Sequence, residues 1–139
     1  VAEMAVKKMV QAGLAPAQAR VVILGFTFKE NCPDVRNTRV TDIVHTLEEY
    51  GICPVVVDPC ADKALVQKEY GVALTDLEHV KNADCILHAV AHRQFREMGL
   101  PGLMALFRPD GGAKRGLLDV KGEWPVSRLK ELEITWWRM

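Results

Sequence analysis

The sequence predicts an α/β fold, namely a Rossmann-like three-layer sandwich with a mostly parallel sheet. Short unbroken runs of aliphatic residues, which are typical of strands covered on both faces, recur along the chain. Segments with apolar residues at helical spacing separate these runs, and right-handed crossovers place such helices on both faces of a sheet. The length of 139 residues and the apolar fraction of 49% suit one compact domain with its own core.

The first half of the chain alternates between predicted helices and strands. The opening helix is expected to end at Gly13, with Pro16 shortly beyond it, which is a common stop signal. The β-branched run at Val21 to Leu24 and the run PVVVD are predicted strands. In chain order we expect a helix at 1–13, a strand at 21–24, a helix from Val40 up to Gly51, a strand at 54–58 and a helix at 63–70.

The second half continues the alternation. Thr75 is a candidate N-cap for a short helix, and Pro101 is expected to break a longer one. In chain order we expect a helix at 75–80, a strand at 85–90, a helix at 95–107, a strand at 116–120, a helix at 125–132 and an edge strand at 133–139.

Charge and hydropathy exclude several classes of protein. Eighteen basic and eighteen acidic residues balance, so no overall field favours a nucleic acid or an anionic membrane surface. No apolar run approaches the length of a membrane span, and Glu3, Lys7 and Lys8 stand where a signal sequence would be apolar. The expected compartment is the cytoplasm.

The cysteine pattern indicates structural thiols. The chain has four cysteines: Cys32, Cys53, Cys60 and Cys85. No pair has the two-residue spacing of zinc ribbons or redox motifs. Their even number permits two disulfides, but such bridges are rare in the reducing compartment expected for this chain.

The loop after the first predicted strand, GFTFKENCPDVRNTRV, stands where an α/β sheet usually binds its ligand. The other loops at this edge follow Val57, Val90 and Val120. A dinucleotide-binding domain carries G-x-G-x-x-G here, so that backbone approaches a pyrophosphate, but only Gly25 is present. Lys29 and Arg36 would then supply the charge for a phosphate, and autonomous NAD binding is not expected.

Several polar residues near this edge have two interpretations. Arg39 either begins the next helix, with Asn37 or Thr38 as its cap, or contacts a ligand. Asp58 is interpreted as a turn or capping residue and not as a ribose ligand, because the glycine pattern is missing. His88 and His92 are four residues apart across a strand end, which does not place them on one face, so no metal site is predicted.

Other roles stay open at this point. His92 either borders the ligand cleft with Phe95 or is a structural residue at a strand end. Lys121 either approaches a phosphate or is structural. Trp136 and Trp137 stack on a uracil, pack at an edge or meet a partner subunit.

The segment GFTFKENCPDVRNTRVTDIV resembles the signature of the C-terminal domain of UDP-glucose and GDP-mannose dehydrogenases. It is most similar to the UDP-N-acetylhexosamine branch, in which G-[LF]-T-F-K-E-N-x-x-D-x-R-N-[ST] is typical. AVAHRQF from Ala89, DVKG from Asp119 and the Trp-Trp-Arg ending resemble later landmarks, so the similarity spans nearly the whole chain.

This resemblance implies a larger enzyme with an N-terminal NAD-binding domain and a long central helix. Residues 1–15 would be the tail of that helix, and residues 16–139 the domain that holds the UDP part of the substrate. Such enzymes oxidise the sugar C6 hydroxyl to a carboxylate with two NAD, through a cysteine thioester. We expect that cysteine upstream of Val1, so no catalytic residue is predicted in this chain. NAD would be bound mainly by the N-terminal domain, and the full-length protein would be a homo-oligomer.

The resemblance also assigns site residues. Phe28 and Lys29 match the Phe-Lys pair that binds the substrate. Arg36 matches the arginine of D-x-R that reaches toward NAD, and Asp34 would hold that loop. UDP-GlcNAc, UDP-GalNAc and UDP-ManNAc all remain candidate substrates. The alternative is a stand-alone nucleotide-binding or NAD-binding Rossmann-like module.

Overall fold

A parallel sheet forms the centre of the computed structural model, which describes residues 1–138. Its strands are β1 (Val21–Leu24), β2 (Val55–Val57), β3 (Cys85–His88), β4 (Gly116–Asp119) and β5 (Thr135–Arg138). They lie in the order β2-β1-β3-β4-β5, and every neighbouring pair is parallel. The predicted α/β fold with a parallel sheet is confirmed, although β3 and β4 end before the predicted Val90 and Val120.

Helices cover both faces of the sheet. They are α1 (Ala2–Gln11), α2 (Val40–Glu49), α3 (Lys63–Tyr70), α4 (Arg93–Met104) and α5 (Val126–Leu129). Successive side chains of a strand point to opposite faces, so Val21 and Ile23 join the core with α1, α2 and α3. Val22 and Leu24 join the core with α4 and α5. The unbroken aliphatic run of β1 is therefore fully buried on both sides.

The opening helix is an integral part of one of these layers. Ala2, Ala5 and Met9 of α1 are buried in the same core as Val21 and Val44. This spacing explains why the segment is helical, since the three residues fall on one face. The continuation of α1 into a longer helix stays a prediction.

Two predictions within the helices were wrong. A short 3₁₀ helix at Leu77–His79 begins after Asp76, whereas Thr75 donates its backbone N–H to the Val56 carbonyl at 2.8 Å. Thr75 is therefore held by the edge of β2 and does not cap the helix.

The kink in α4 lies at Gly99 and not at Pro101. Gly99 has φ 64°, a conformation that favours glycine. Pro101 then lies in the first turn of the following segment, where its missing N–H breaks no helical hydrogen bond.

The closing strand β5 packs its tryptophans on opposite faces of the sheet. Trp137 packs against the core that contains α1, and Trp136 against the core that contains α4. Of the three interpretations of these residues, packing at an edge is the one that the structure shows. Met139, which ends the predicted strand, lies outside the described residues.

Within residues 1–138, no helix is both long enough and apolar enough to span a membrane.

Candidate functional site

The strand order places a crevice at the carboxyl ends of β1 and β3. The connection that leaves β1 runs to α2 on one face of the sheet, whereas the connection that leaves the neighbouring strand β3 runs to α4 on the other face. In sheets of this order, ligands bind beyond the strands at the point where the winding reverses. Thr27 to Lys29 after β1, and Ala89 and Val90 after β3, line this crevice. The position agrees with the one predicted from the strand ends.

A cavity of about 480 Å³ opens in the crevice, and its lining combines apolar and basic side chains. Contributors include Phe28, Lys29, Arg39, Ile43, Val90 and Lys121. Phe28 is 53% exposed, which is unusual for so large an apolar side chain, so part of it is open to contact with a ligand. The structure thus brings the two predicted substrate residues together.

A second cavity of about 400 Å³ shares Lys29 and Lys121 with the first. Arg96 also lines it, but its Nη2 lies 2.7 Å from Glu30 Oε2 and its Nε lies 3.0 Å from Glu123 Oε1. The charge of Arg96 is therefore compensated. Within residues 1–138, Lys29 and Lys121 form no hydrogen bond or ion pair through their ammonium groups, so both charges are available to an anionic ligand.

Hydrogen bonds within the loop fix the segment that carries Phe28 and Lys29. The Thr27 hydroxyl donates to the Lys29 carbonyl at 2.9 Å. The Phe28 amide donates to the Asp34 carbonyl at 2.8 Å. The segment therefore folds back on itself and presents both side chains at the edge of the crevice.

Arg36, the predicted cofactor residue, lies apart from this pair. Its Nε donates to Asp34 Oδ1 at 3.1 Å and its Nη2 to Asp34 Oδ2 at 3.0 Å, and the Arg36 side chain is 86% exposed. These hydrogen bonds hold the pKa of the Asp34 carboxyl below its usual value. Arg36 lines neither cavity, whereas Asp34 holds the loop in the way that the sequence suggested.

Thr38 stabilises the start of α2. Its hydroxyl donates to the Phe26 carbonyl and accepts the Val40 amide at 3.2 Å. Asn37 has φ 59° and serves the turn instead. Arg39 occupies the N-cap position without a side-chain capping bond, and its side chain is left facing the cavity.

Asp58 connects the end of β2 to the loop after β1. Its buried carboxylate accepts four backbone N–H bonds at 2.6 to 3.0 Å. The donors are Phe26, Thr27, Cys60 and Ala61. Burial acts to raise the pKa of Asp58, but hydrogen bonds from His92 and from the Phe26 and Thr27 amides outweigh it and hold the pKa below its usual value. The interpretation of Asp58 as a turn residue is confirmed.

Gly25, which directly follows β1, is in close contact with the neighbouring loop. It has φ 102°, and a Cβ atom placed on it would overlap side-chain and backbone atoms of Val90. This close approach and the positive φ explain why a glycine stands here. The further glycines of G-x-G-x-x-G, one of which lets backbone approach a pyrophosphate, are absent from the sequence after β1.

The cysteines are free in the structure. Burial raises the pKa of the Cys85 thiol to about 12. Burial, together with the charge of Asp58, raises the pKa of Cys60. Because the thiolate is the reactive form, neither residue is suited to act as a nucleophile at neutral pH.

Sequence reasoning missed part of this edge. The ion pairs of Arg96 with Glu30 and Glu123 join segments distant in the chain, and no local pattern marks them. His92 and Lys121, which the sequence left undecided, both lie here. His92 is fully buried against Asp58, whereas Lys121 faces the cavities.

The parallel sheet and the crevice at its switch point, which Lys29 and Lys121 line, define a Rossmann-like α/β domain. The profile of the UDP-glucose/GDP-mannose dehydrogenase family, UDP binding domain, matches residues 22–121, and the chain belongs to this family. The resemblance stated from the sequence is thereby confirmed.

Two curated relatives are similar to most of this chain. The chain is 38% identical over 128 residues to a UDP-N-acetyl-D-glucosamine 6-dehydrogenase of Salmonella typhi, which covers 92% of this chain and 29% of the relative. It is 42% identical over 97 residues to Protein CapL of Staphylococcus aureus, covering 70% of this chain and 23% of that protein. The chain therefore spans less than a third of these relatives.

A solved structure shows the same fold. The NDP-N-acetyl-D-galactosaminuronic acid dehydrogenase of Methanosarcina mazei Go1 superposes with a TM-score of 0.81 at 19% sequence identity. The match covers 98% of this chain and 27% of that one. At this identity the similarity supports the fold alone.

Proposed function

We propose that this chain binds the UDP moiety of a UDP-N-acetylhexosamine and closes the active-site cleft of an NAD-dependent 6-dehydrogenase. The observation that carries the proposal is the convergence of Phe28, Lys29 and Lys121 on one crevice in a domain of this family. The relatives named above are nucleotide-sugar dehydrogenases where their names state an activity. The activity belongs to the larger protein, of which this chain would be the C-terminal domain.

The charge pattern suits a diphosphate. The chain has no net charge, so binding of an anion depends on local groups. Lys29 and Lys121 follow β1 and β4 and line the same two cavities, and within residues 1–138 neither forms an ion pair. Two ammonium groups would compensate the charge of the pyrophosphate, while the exposed ring of Phe28 would pack on the base or the sugar.

Arg36 is proposed to contact NAD. Its guanidinium is exposed, is oriented by Asp34 and lines neither of the two cavities. NAD would accept the hydride from the sugar C6, but this chain lacks the G-x-G-x-x-G pattern of a dinucleotide-binding domain. The N-terminal domain would therefore hold most of the cofactor, and the chain would contribute the Arg36 contact.

The larger assembly is proposed on the same basis. Residues 1–15 would end the central helix, residues 16–139 would form the UDP-binding domain, and the N-terminal and central domains would be partners in one polypeptide. The full-length protein would be a cytoplasmic homo-oligomer. Sequencing the coding region through Val1 tests this, since a cysteine-bearing segment and a G-x-G-x-x-G pattern are expected upstream. A gene that starts at Val1 would contradict it and favour a stand-alone nucleotide-binding module.

Calorimetric titration of the chain with UDP and with NAD tests the binding role directly. We expect UDP to bind and NAD to bind more weakly. Lys29→Ala removes a charge-assisted contact and should weaken UDP binding by roughly ten- to a hundredfold.

Lys81→Ala is the matched control, because Lys81 is an exposed lysine that precedes β3 at the opposite edge of the sheet. Its UDP affinity should equal that of the wild type. Equal affinity of Lys29→Ala and wild type would contradict the assignment of Lys29. Tighter binding of NAD than of UDP would favour the alternative NAD-binding module.

A further inference from the structure

His92 links the ligand-facing loop to the centre of the domain. Its side chain is fully buried, and its Nε2 lies 2.9 Å from Asp58 Oδ2. Its Nδ1 lies 2.9 Å from the backbone nitrogen of Asn31. That amide has a hydrogen to donate, so Nδ1 must be the acceptor. The proton of the neutral ring is therefore on Nε2, where it is donated to the Asp58 carboxylate.

Asn31 is held from two sides. Besides the amide bond to His92, its side-chain Oδ1 accepts the backbone N–H of Arg93 at 2.7 Å. Asn31 has φ 57°, a left-handed conformation that asparagine tolerates better than most residues. Asn31, where the loop turns, is thus hydrogen-bonded to His92 and Arg93 at the start of α4.

Thr27, at the other end of the segment 27–31, is held by Asp58 and His92. The Thr27 amide donates to Asp58 Oδ2 at 2.9 Å, and the Thr27 hydroxyl lies 3.1 Å from His92 Nε2. Between Thr27 and Asn31 stand Phe28 and Lys29, both exposed at the crevice. The Asp58–His92 pair therefore fixes both ends of the segment whose side chains face the ligand.

A metal ion is a competing explanation for this cluster. Asp58, Cys60 and His92 each offer one ligand atom, and these atoms lie within 4.8 Å of one another. However, both oxygens of Asp58 already accept backbone N–H bonds, and Nδ1 of His92 faces the Asn31 amide. The thiolate of Cys60, which would bind a metal, is disfavoured because burial raises the pKa of the thiol. An ion would have to break these bonds.

We propose that His92, oriented by Asp58, is a positioning residue that holds residues 27–31 in the conformation that binds UDP. The inference rests on the proposed function of the domain. A loop that is fixed before the ligand arrives loses less conformational freedom on binding, and the gain appears as affinity. His92 acts through the loop and does not touch the ligand.

Two variants of His92 test the contributions of its two hydrogen bonds. His92→Phe keeps a ring but removes both, and should weaken UDP binding about tenfold. His92→Asn keeps an acceptor near the position of Nδ1 for the Asn31 amide, and should restore part of the affinity. His45→Phe, at an exposed histidine of α2, is the matched control and should bind UDP as the wild type does.

Amide hydrogen exchange distinguishes a local effect on the loop from a general loss of stability. In His92→Phe the Asn31 amide should exchange faster, while the amides of Val22 and Ile23 in β1 should keep their protection. Nitrogen-15 spectra of the wild-type imidazole should show the proton on Nε2 of His92. If His92→Phe does not fold, the His92→Asn variant and the wild-type spectrum still decide the matter.

Four results would overturn the proposal in distinguishable ways. Unchanged Asn31 exchange in His92→Phe, or a proton on Nδ1, would show that His92 does not hold the loop. Faster Asn31 exchange with wild-type affinity would show that the loop conformation does not govern binding. Failure of the wild-type chain to bind UDP, with Asn31 exchange responding as expected, would reject the proposed function and with it the purpose of the positioning.

Discussion

Gly25 and Val90 are in such close contact that a Cβ atom placed on Gly25 would lie 2.5 Å from Cβ of Val90 and 2.8 Å from its backbone nitrogen. This contact joins the ends of β1 and β3 at the switch point. The Gly25 amide also donates to the Val57 carbonyl at 2.7 Å, so the same residue is held at the end of β2. Val90 lines both cavities, and its contact with Gly25 therefore fixes part of the lining of the candidate site.

Gly25→Ala should destabilise the domain by about 2 to 4 kcal/mol. The new methyl group would overlap backbone as well as side-chain atoms, and overpacking of this kind typically costs about 1 to 3 kcal/mol. The positive φ of 102° adds a conformational cost of about 1 kcal/mol. Urea-induced unfolding of both proteins measures the difference.

Gly71→Ala is the control for the conformational part. Gly71 has φ 68° at the end of α3, but a Cβ there would meet nothing within 4 Å. We expect a loss of about 1 kcal/mol for this variant. A loss at Gly25 no larger than at Gly71 would show that the contact with Val90 relaxes without cost.

The sheet was predictable because its signals are local. The aliphatic run at Val21–Leu24 is followed by a glycine, and the apolar spacing of Val40, Val44 and Leu47 is helical, so neighbouring residues suffice to define each element. The kink at Gly99 was missed because Pro101 is the stronger breaker in isolation. Proline is nevertheless well tolerated in the first turn of a helix, and the non-helical conformation occurs at Gly99 instead.

The site was predictable only in part. Phe28 and Lys29 stand next to each other in a recognisable motif, whereas the contact between Asp58 and His92 joins residues 34 positions apart. That contact forms because β2 and β3 lie on either side of β1 in the sheet. Strand order cannot be predicted from the pattern of neighbouring residues. The meeting of Lys29 with Lys121 has the same origin, because β1 and β4 end at the same edge.

His88 should make the domain less stable in mild acid. Burial lowers its pKa to about 4, and the opposing charge of Asp119, 3.9 Å away, offsets only part of this effect. In the unfolded chain the imidazole takes up a proton near its usual pKa of about 6.5. Between these values the unfolded state binds a proton that the folded state does not, so the free energy of unfolding decreases as the pH falls from about 6.5 to 4.

His88→Leu should remove this dependence. Within the described part of the chain, neither ring nitrogen of His88 has a hydrogen-bond partner, so an apolar replacement of similar size loses no bond. Denaturant unfolding at several pH values should show wild-type stability or better at pH 7. The decrease of the free energy of unfolding in acid should be smaller than in the wild type by up to about 3 kcal/mol. Parallel pH profiles of variant and wild type would mean that His88 is protonated in the folded protein.

The cysteines should differ in reactivity by their burial. Cys53 is exposed, whereas Cys85 is fully buried and burial raises its pKa to about 12. A thiol reagent at pH 8 should therefore label Cys53 quickly, while Cys85 should react only when the domain unfolds. Mass spectrometry of peptides from the labelled protein, with and without denaturant, gives the order. Early labelling of Cys85 would indicate that the strand β3 opens readily in the native state.

Lys121→Ala should weaken UDP binding about tenfold if this lysine faces the same diphosphate as Lys29. Both lysines line both cavities, and neither is held by an acidic side chain among the described residues, so removal of either charge leaves no unpaired partner in the protein. The free energy of unfolding should therefore stay within about 0.5 kcal/mol of the wild type. Calorimetry with UDP and a denaturant titration separate these two effects.

The double variant Lys29→Ala/Lys121→Ala decides whether the two lysines share one ligand group. Residues that contact the same partner have effects that do not add, whereas independent sites have additive effects. We expect a loss of affinity in the double variant that differs from the sum of the two single losses, and a weaker dependence of binding on salt than in the wild type. Strictly additive losses would place the lysines on separate parts of the ligand. An unchanged affinity in Lys121→Ala would instead make Lys121 a surface residue, and the charge compensation at this edge would then fall to Lys29 and Arg39, the remaining cations that line the larger cavity.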